Sequence, residues 1–535
     1  MICLGSSNLS IYFMAKSLKK LEDDDLLVAA FTAMQTNQYM LAVQHFKEVL
    51  RRDPGDPFAH LEMAKCYFSV DDPDKAVACV KKVFTHAKQD PTLWLQLANV
   101  CQYIRQYSLA IKALKEAELI AEFRQVSLVR QAEIYELSNK LTEAETALEK
   151  IKNSETQASL AIHAKLLKRR ENYKEAAGVL EELISKANKD NVVFISSLQY
   201  ELASVYDKHG HFTKAAEALE KAKSFHRGTD AYKIAERGRS GVTNILSGLC
   251  KQLDDTTLER WKNEAENVSS NLSNSHKHSF LLGHPRSGTT LIEQVLDAHP
   301  EVISADETFM FHNTVWMPTV LKNDQTETHF SELLNNLTKN PIRIARREYK
   351  LHWERSVLSK LSGSPSLLLD KNPALTTRLA VIARFFPDAP IVFALRDPRD
   401  VVISSYMQPV GVNDWSINWL TIEEAVDYYC FTMQMWLDIR HKLVNPWIEV
   451  KYEDCVSDFE GQAKRVTQHL GLEWSQSQED VQQHISKKAV FSPTYADVGK
   501  AVYSSSVARW KNYKELLNPH LDKLMPFIKE FGYEL

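Results

Sequence analysis

The sequence predicts a two-part fold, in which an all-α helical solenoid is followed by an α/β domain with a mainly parallel sheet. Small and apolar residues recur every 34 residues in the first part of the chain, which predicts stacked helix pairs. An apolar strand-like run, a turn of small residues and a helical stretch follow one another in the second part. The chain has 535 residues, more than one compact core usually holds, so two or three folding units are expected.

Four alanines stand at an identical spacing of 34 residues, and an apolar residue follows each of them four positions later. The alanines are Ala42, Ala76, Ala110 and Ala144, and the apolar residues are Phe46, Val80, Leu114 and Leu148. Two looser copies contain Ala176 and Ala215. A small residue is needed where two helices cross closely, and a larger residue four positions later fills the next layer of the same face.

This layout resembles the tetratricopeptide repeat. The residues that match its two helices are Trp94, Leu97 and Ala98, then Ala110, Leu114 and Ala117. The resemblance implies an array over residues 23–225, behind an N-terminal tail of residues 1–22. Such arrays usually bind a peptide or protein along the concave side, which Lys65, Asn99 and Gln102 are expected to face. The alternative is an array that only scaffolds or dimerises the chain.

The period is lost between residues 226 and 275, which are predicted to form a helical connector and a linker. Gly238, Gly241 and Gly248 interrupt the pattern, and the polar run ENVSSNLSNSHKH ends it. From residue 276 to residue 535 the pattern is that of an α/β domain.

An anion-binding loop is predicted between the strand-like run SFLLG and the helix LIEQVLDAHP. Gly288 lets the backbone approach a phosphate closely, and the hydroxyls of Ser287, Thr289 and Thr290 lie beside the exposed N–H groups of the first helical turn. Arg286 precedes the turn and no lysine follows Gly288, which argues against an ATPase or GTPase. The alternative is an ordinary helix start capped by serine or threonine.

A second anion-binding element is predicted about 110 residues later. Arg396 ends the apolar run that begins at Ala389, so it should lie at the carboxyl end of a strand, where parallel sheets bind ligands. Ser404 follows eight residues later, in the next helix, where it can bind one phosphate together with Arg396. The alternative for Arg396 is a surface salt bridge with Asp397 or Asp400.

The two elements together resemble the sulfotransferase family, over about residues 276–535. PRSGTT follows the first strand, and R-D-P-R-D-x-x-x-S follows the later one. DAHPEVISADET, LLLDKNPAL and VKYED also resemble the tyrosylprotein sulfotransferases and the bacterial sulfotransferases fused to tetratricopeptide repeats. The fold implied is a tetratricopeptide solenoid followed by a P-loop-like α/β domain. The implied donor is 3'-phosphoadenosine 5'-phosphosulfate, with its 5'-phosphosulfate on the first loop and its 3'-phosphate on the second element.

The resemblance also implies the catalytic residues of the domain. Arg286 acts on the transition state, Glu307 is the general base, and Lys371 steadies the transferred sulfuryl group. Asp306, adjacent to Glu307, is an alternative base, and a salt bridge with Asp370 is the alternative for Lys371. His284 and His299 are competing bases, and capping of the next segment is the structural alternative for Glu307.

The residues implied to hold the donor are spread over four segments. They are Arg286, Ser287, Gly288, Thr289, Thr290, Arg396, Ser404, Tyr452, Ser505 and Arg509. Tyr452 resembles an adenine-contacting position and could equally belong to the core. The choice among Ser504, Ser505 and Ser506 is open, and many relatives have glycine where Ala508 stands.

Composition limits the remaining possibilities. The net charge of −4 gives no support for a nucleic-acid-coating protein, and seven scattered cysteines favour a reducing cytoplasm. No membrane span, secretion signal or metal site is expected. The predicted function is sulfuryl transfer to a hydroxyl or amine, with protein tyrosine, a polysaccharide and a small phenol all open as acceptors. The rival hypotheses are a non-catalytic repeat adaptor with a nucleotide-binding domain and, less favoured, a kinase-like phosphotransferase.

Overall fold

The computed structural model forms two compact units, Met1–Ala218 and Leu219–Leu535. The residues that it describes are 21–36, 38–87, 90, 92–151, 155–251, 253–269, 276–321, 327–358, 365–409, 411–413, 415–478 and 506–535. The predicted tail of residues 1–22 lies almost wholly outside these ranges.

Twelve helices in antiparallel pairs account for the described part of the first unit. They are α1 (Leu21–Gln35), α2 (Tyr39–Arg52), α3 (Pro57–Ser69), α4 (Pro73–Ala87), α5 (Leu93–Tyr103), α6 (Tyr107–Glu118), α7 (Arg124–Leu137), α8 (Leu141–Glu149), α9 (Gln157–Arg169), α10 (Tyr173–Lys186), α11 (Val192–Lys208) and α12 (Phe212–Ser224), the last of which runs six residues past the unit boundary. All six repeat alanines are fully buried, as the crossing of paired helices requires: Ala42, Ala76, Ala110, Ala144, Ala176 and Ala215. The predicted tetratricopeptide array is therefore confirmed.

The turn inside each helix pair repeats with the same period as the alanines. Asp71, Arg105 and Asn139, which are 34 residues apart, all adopt a left-handed backbone, with φ of 58°, 60° and 58°. The N–H group of the next residue donates a hydrogen bond to the carbonyl oxygen five residues earlier and so closes the turn. An example is the 2.7 Å bond that Gln106 N donates to Cys101 O. The repeat thus extends to backbone geometry, although three different side chains occupy the turn position.

The described part of the second unit contains five strands and twelve helices that begin in it. The strands are β1 (Lys277–Gly283), β2 (Val302–Asp306), β3 (Leu367–Lys371), β4 (Ile391–Leu395) and β5 (Trp447–Lys451). The helices are α13 (Asp230–Lys251), α14 (Asp255–Ser269), α15 (Thr289–Asp297), α16 (Glu327–Asn336), α17 (Lys339–Ser356), α18 (Leu379–Phe385), α19 (Pro398–Tyr406), α20 (Ile422–Ile439), α21 (Tyr452–Ser457), α22 (Phe459–His469), α23 (Lys514–Leu517) and α24 (Leu521–Glu530). Short 3₁₀ and π-helical segments connect several of them.

The strands form one parallel sheet in the order β2-β3-β1-β4-β5. The central strand β4 is apolar throughout and fully buried, as expected when helices cover both faces of a sheet. One face buries Leu281, Leu369, Val392 and Val450 against α15 and α22. The mainly parallel α/β domain predicted from the sequence is confirmed.

The segment predicted as a connector is helical in the described residues. Helix α13 runs through all three glycines that end the repeat pattern, so these glycines mark the end of the repeat and do not break the helix. Helix α14 buries Trp261, over which the guanidinium of Arg384 lies at 5.2 Å from the ring centroid. Arg384 also forms a 2.7 Å ion pair with Glu264, so α14 packs within the second unit.

Among the helices within the described ranges, none is long and apolar enough to cross a membrane.

Candidate active site

The predicted site residues cluster at one edge of the sheet because all five strands are parallel. The loop containing Arg286 follows β1, Glu307 follows β2 directly, and Lys371 is the last residue of β3. Arg396 follows β4 and Tyr452 follows β5. Each of these residues therefore lies at the carboxyl end of a strand, the usual ligand-binding edge of such sheets.

The loop between β1 and α15 turns sharply at two residues with left-handed backbones, Arg286 (φ 75°) and Gly288 (φ 92°). Within it, Ser287 Oγ donates a 2.6 Å hydrogen bond to His284 O, so this hydroxyl stabilises the turn. Thr289 and Thr290 form the first turn of α15, where unpaired backbone N–H groups favour an anion. A bulky residue such as Arg286 seldom adopts this conformation, and strain of this kind concentrates at functional sites.

Gly288 lies directly against the ring of Tyr452. A Cβ atom at position 288 would lie 2.6 Å from Tyr452 Cδ2, closer than any side chain tolerates. The left-handed backbone independently favours glycine at this position. Tyr452, which the sequence left open between core and ligand contact, is therefore packed on the anion-binding loop, and burial raises the pKa of its hydroxyl.

The two predicted anion-binding elements are in direct contact. Arg286 Nε donates a 3.1 Å hydrogen bond to Ser404 Oγ, although the two residues are 118 positions apart in the chain. Arg396 Nη1 donates to the backbone oxygen of Arg286 at 3.2 Å. Arg396 and Ser404 thus lie on the same side of the sheet as the loop after β1, as binding of one nucleotide by both elements requires.

Arg396 is buried, and its guanidinium contacts an aromatic ring and the late loop, which is the segment before α23 that the structure describes from residue 506. Its Nη2 donates a 2.6 Å hydrogen bond to Ser506 O, and its guanidinium carbon lies 5.0 Å from the centroid of the Tyr452 ring. Asp400 Oδ2 is 3.9 Å from the same Nη2, so the salt bridge that the sequence offered as the alternative is present, although long. Arg396 Nε is buried and has no hydrogen-bond partner among the residues that the structure describes. An unsatisfied donor of this kind is costly unless a ligand atom satisfies it.

Asp400 fastens the late loop to α19. Its two carboxylate oxygens accept hydrogen bonds from Ala508 N at 2.8 Å and Trp510 N at 2.7 Å. Burial raises the pKa of Asp400 to about 6, against the opposing effects of Arg396 and these two N–H groups. Ala508 has a left-handed backbone with φ 57°, a conformation that glycine adopts at no steric cost.

The structure describes only some of the predicted residues of the late loop. Ser504 and Ser505 lie outside the described residues, whereas Ser506 contacts Arg396 through its backbone oxygen. Arg509 Nη2 lies 3.1 Å from Met407 Sδ, one turn beyond Ser404.

A second cluster surrounds the ammonium group of Lys371. Lys371 Nζ contacts Glu307 Oε1 at 3.0 Å and also Asp306 Oδ1. The two adjacent carboxylates reach the same atom because Glu307 has a left-handed backbone, with φ 50°, which turns its side chain back toward β3. Successive side chains of a strand point to opposite faces, and the left-handed backbone of Glu307 is the reason that these two do not.

Lys371 is also paired with a third carboxylate, from α15. Its Nζ lies 3.6 Å from Glu293 Oε2, and both side chains are 0% exposed, whereas that of Glu307 is 54% exposed. Burial alone would lower the pKa of Lys371, but the charges of Glu307, Glu293 and Asp306 outweigh it, so the net effect raises this pKa. Lys371 is therefore a buried cation, held in place by its partners, that contacts the accessible carboxylate of Glu307.

The rival residues are engaged elsewhere. His284 is buried with Nδ1 2.7 Å from Pro285 O, and burial lowers its pKa to about 4. His299 Nε2 lies 2.8 Å from Glu473 O, where it joins two segments of backbone. Asp370 accepts a 2.7 Å hydrogen bond from Tyr349 OH on the opposite face of the sheet, so it is not the partner of Lys371. Of the candidate bases, Glu307 is the most accessible.

Glu293 and Asp400 are parts of this arrangement that were not predicted from the sequence. Each has only a weak signal, since Glu293 is a charged residue in the helix after the loop and Asp400 is the second acid of the R-D-P-R-D motif, and neither signal indicates a partner. Both are almost completely buried, and a buried carboxylate requires partners. Within the described residues, no group of three or more His, Cys, Asp or Glu side chains is arranged to hold a metal ion.

Comparison with known proteins finds similarities in both parts of the chain. Residues 279–476 match the model of the sulfotransferase family, and residues 33–101 match a tetratricopeptide-repeat model. An uncharacterised protein of Aquifex aeolicus (strain VF5) is 25% identical over 431 residues, which cover 78% of this chain and 53% of that protein. The chain thus spans about half the length of that relative.

Two further similarities concern the second part of the chain. Protein-tyrosine sulfotransferase A of Caenorhabditis elegans is 23% identical over 267 residues, covering 48% of this chain and 67% of that protein. The sulfotransferase domain of the Synechococcus PCC 7002 olefin synthase has a TM-score of 0.33 and 19% identity, covering 50% of this chain and 98% of that one. The chain is therefore similar to tetratricopeptide-repeat proteins over residues 33–101 and to the sulfotransferase family over residues 279–476.

Proposed function

We propose that this protein transfers a sulfuryl group from 3'-phosphoadenosine 5'-phosphosulfate to a hydroxyl or amine acceptor. The observation that carries the proposal is the contact between the two anion-binding elements, in which Arg286 Nε donates to Ser404 Oγ. A nucleotide with phosphates at both its 3' and 5' positions needs two such elements within the span of one nucleoside. The family match of residues 279–476 supports the same chemistry.

Three features of the described residues fit this donor. The loop after β1 has a glycine at position 288 and hydroxyls in the first turn of α15, which suit the 5'-phosphosulfate. Arg396, with its unsatisfied Nε, and Ser404 suit the 3'-phosphate. The ring of Tyr452 lies between the two elements, in contact with Gly288 and Arg396, where an adenine could stack. The bound donor supplies an activated sulfuryl group on a good phosphate leaving group.

Each proposed catalytic residue has a distinct task. Arg286 projects from a strained turn toward the helix that carries Ser404, and there it orients the donor and neutralises charge that develops on the leaving phosphate. Glu307 accepts the proton of the acceptor hydroxyl or amine, for which its exposed carboxylate is suited. Lys371 holds this carboxylate in place, and its positive charge is close enough to the acceptor side to steady the transferred group.

The acceptor is proposed at the level of chemical class only. Protein tyrosine is one candidate, supported by the similarity to protein-tyrosine sulfotransferases, and a tetratricopeptide array is a natural means of presenting a peptide. We place the reaction in the cytoplasm, because Cys66, Cys79, Cys101, Cys430 and Cys455 are free thiols.

The test is transfer of ³⁵S-labelled sulfuryl groups from the donor to a panel of tyrosine peptides, phenols, amines and polysaccharides. We expect label in at least one acceptor, and loss of transfer in Arg286→Ala. Titration calorimetry with 3'-phosphoadenosine 5'-phosphate should show binding that Arg396→Ala weakens by about tenfold or more. Absence of nucleotide binding by the wild-type protein would refute the proposal. Binding without transfer to any acceptor would favour the adaptor hypothesis.

A further inference from the structure

The starting point is an imbalance of charge around Lys371. One ammonium group is surrounded by three carboxylates, from α15 (Glu293), from the end of β2 (Asp306) and from the residue that follows it (Glu307). A single partner would suffice to neutralise Lys371. A buried carboxylate costs several kcal/mol unless it is paired and hydrogen-bonded, so a surplus one requires an explanation.

Glu293 is the surplus carboxylate that is most firmly held. Its Oε1 accepts a 2.6 Å hydrogen bond from Ser304 Oγ on β2, and its Oε2 lies 3.6 Å from Lys371 Nζ on β3. It therefore connects three elements at once, since α15 begins at Thr289 in the donor loop. Glu293 is one helical turn beyond that loop, so any shift of the loop helix moves its carboxylate relative to Lys371.

We infer that Glu293 is a positioning residue for the proposed transfer, whose buried carboxylate, held by Ser304, fixes Lys371 between the donor-loop helix and Glu307. This inference rests on the proposed function and deepens it. Glu293 touches neither donor nor acceptor. It acts through the ammonium group of Lys371, which it keeps in contact with the carboxylate of Glu307. Without Glu293, Asp306 and Glu307 alone would draw this ammonium group toward the accessible edge of the sheet.

The charge of Glu293 also has a direct effect on the base. Glu293 and Glu307 contact the same ammonium group, that of Lys371, so each is a like charge near the other. Like charges disfavour ionisation of one another, so Glu293 opposes the effect of Lys371 on Glu307. The pH dependence of transfer therefore reports whether the charge of Glu293 acts on the proposed base.

The test compares Glu293→Gln with wild-type protein in the pH dependence of kcat/KM. Glutamine retains the size of the side chain and can still accept the hydrogen bond from Ser304, but it lacks the charge. We expect kcat to fall by about 10- to 100-fold. We also expect the acidic limb of the profile to move to lower pH by about half a unit to one unit. Affinity for 3'-phosphoadenosine 5'-phosphate should change less than about twofold.

Two controls separate positioning from general damage. Glu293→Asp retains the charge and should leave the acidic limb within about 0.2 unit of wild type, although kcat falls. Glu348→Gln makes the same chemical change at an exposed position of α17 and should leave both quantities unchanged. A structural role alone would lower kcat or stability in Glu293→Gln without moving the limb, and that result would overturn the inference.

A further variant covers the case in which Glu293→Gln does not fold. Ser304→Ala leaves the charge in place but releases the carboxylate, so it should move the limb in the same direction by a smaller amount. An unmoved limb in Ser304→Ala would then count against the inference. A wild-type protein that transfers no sulfuryl group would refute the proposed function itself, whereas an active wild type with an unmoved limb refutes only the role of Glu293.

Discussion

The repeat array and the α/β domain are stabilised by contacts of very different range along the chain. In the array, each layer is made by residues within one or two repeats, as in the 34-residue series of buried alanines and left-handed turns. In the domain, the contact that joins the two anion-binding elements links residues 118 positions apart. Local contacts can be inferred from a sequence period, whereas convergence of distant loops depends on the topology of the sheet.

This difference predicts that single substitutions have small effects in the array and larger effects at the site. A repeat layer lost from the array leaves its neighbours in place. A residue lost from the site leaves no equivalent elsewhere in the domain.

The largest effect is expected from Glu307→Gln. The substitution retains the shape of the side chain but removes its capacity to accept a proton, so kcat should fall by about 10²- to 10⁴-fold. Binding of 3'-phosphoadenosine 5'-phosphate should be unaffected, which titration calorimetry would measure alongside initial rates of transfer. Asp306→Asn is the matched control at the neighbouring position, since Asp306 also contacts Lys371 Nζ. If the asparagine variant lost activity and the glutamine variant kept it, Asp306 would be the base.

A second effect, of about 3 kcal/mol, is expected in the pH dependence of stability. Burial lowers the pKa of His284 to about 4, from an ordinary value near 6.5. The unfolded chain therefore binds a proton at this residue between pH 6.5 and pH 4, and the folded domain does not. The corresponding stability is complete above pH 6.5 and is lost as the pH falls toward 4.

His284→Gln isolates this contribution, because the other titratable groups are common to both proteins. Urea denaturation at pH 7 and pH 4 should show that the wild type loses about 3 kcal/mol more than the variant on acidification. Equal losses in the two proteins would mean that His284 titrates normally in the folded state. In the array, His60 is the corresponding test, since burial lowers its pKa as well.

The smallest effects are expected when two glycines are replaced by alanine, one of which should lower the free energy of unfolding and the other raise it. At Gly288, alanine would meet the ring of Tyr452 and adopt a left-handed backbone, so the free energy of unfolding should fall by about 1–3 kcal/mol and nucleotide affinity by at least about tenfold. At Gly178, inside helix α10 of the array, a Cβ would meet nothing within 4 Å. Gly178→Ala should therefore raise the free energy of unfolding by about 0.5–1 kcal/mol. Chemical denaturation and calorimetry of both variants would measure these changes.

Wild-type nucleotide affinity in Gly288→Ala would show that the close approach of Tyr452 is not needed for binding. Destabilisation by Gly178→Ala would show that the helices of the array are less regular than their period indicates.

The same contrast between local and distant contacts explains which features could be predicted from the sequence. The array, strands β1 and β4 and the presence of the two motifs proposed to bind anions could be predicted because each is encoded in a short run of residues. Glu293 and Asp400 could not, because their roles depend on partners in other elements: Ser304 and Lys371 for Glu293, and the backbone at Ala508 for Asp400.

The orientation of Glu307 was also beyond prediction. Its carboxylate meets the same ammonium group as Asp306 only because residue 307 has a left-handed backbone, which no side-chain pattern indicates. Tyr452 is a similar case, since its contact with Gly288 requires β5 to lie two strands from β1.

The most direct test of the account is a crystal structure of the protein with 3'-phosphoadenosine 5'-phosphate. We expect one nucleotide across the carboxyl edge of the sheet, with its 5'-phosphate at the N–H groups of Thr289 and Thr290. Its 3'-phosphate should lie within hydrogen-bond distance of Arg396 and Ser404. A nucleotide that contacts only one of the two elements, or that binds away from this edge, would contradict the claim that both elements bind a single donor.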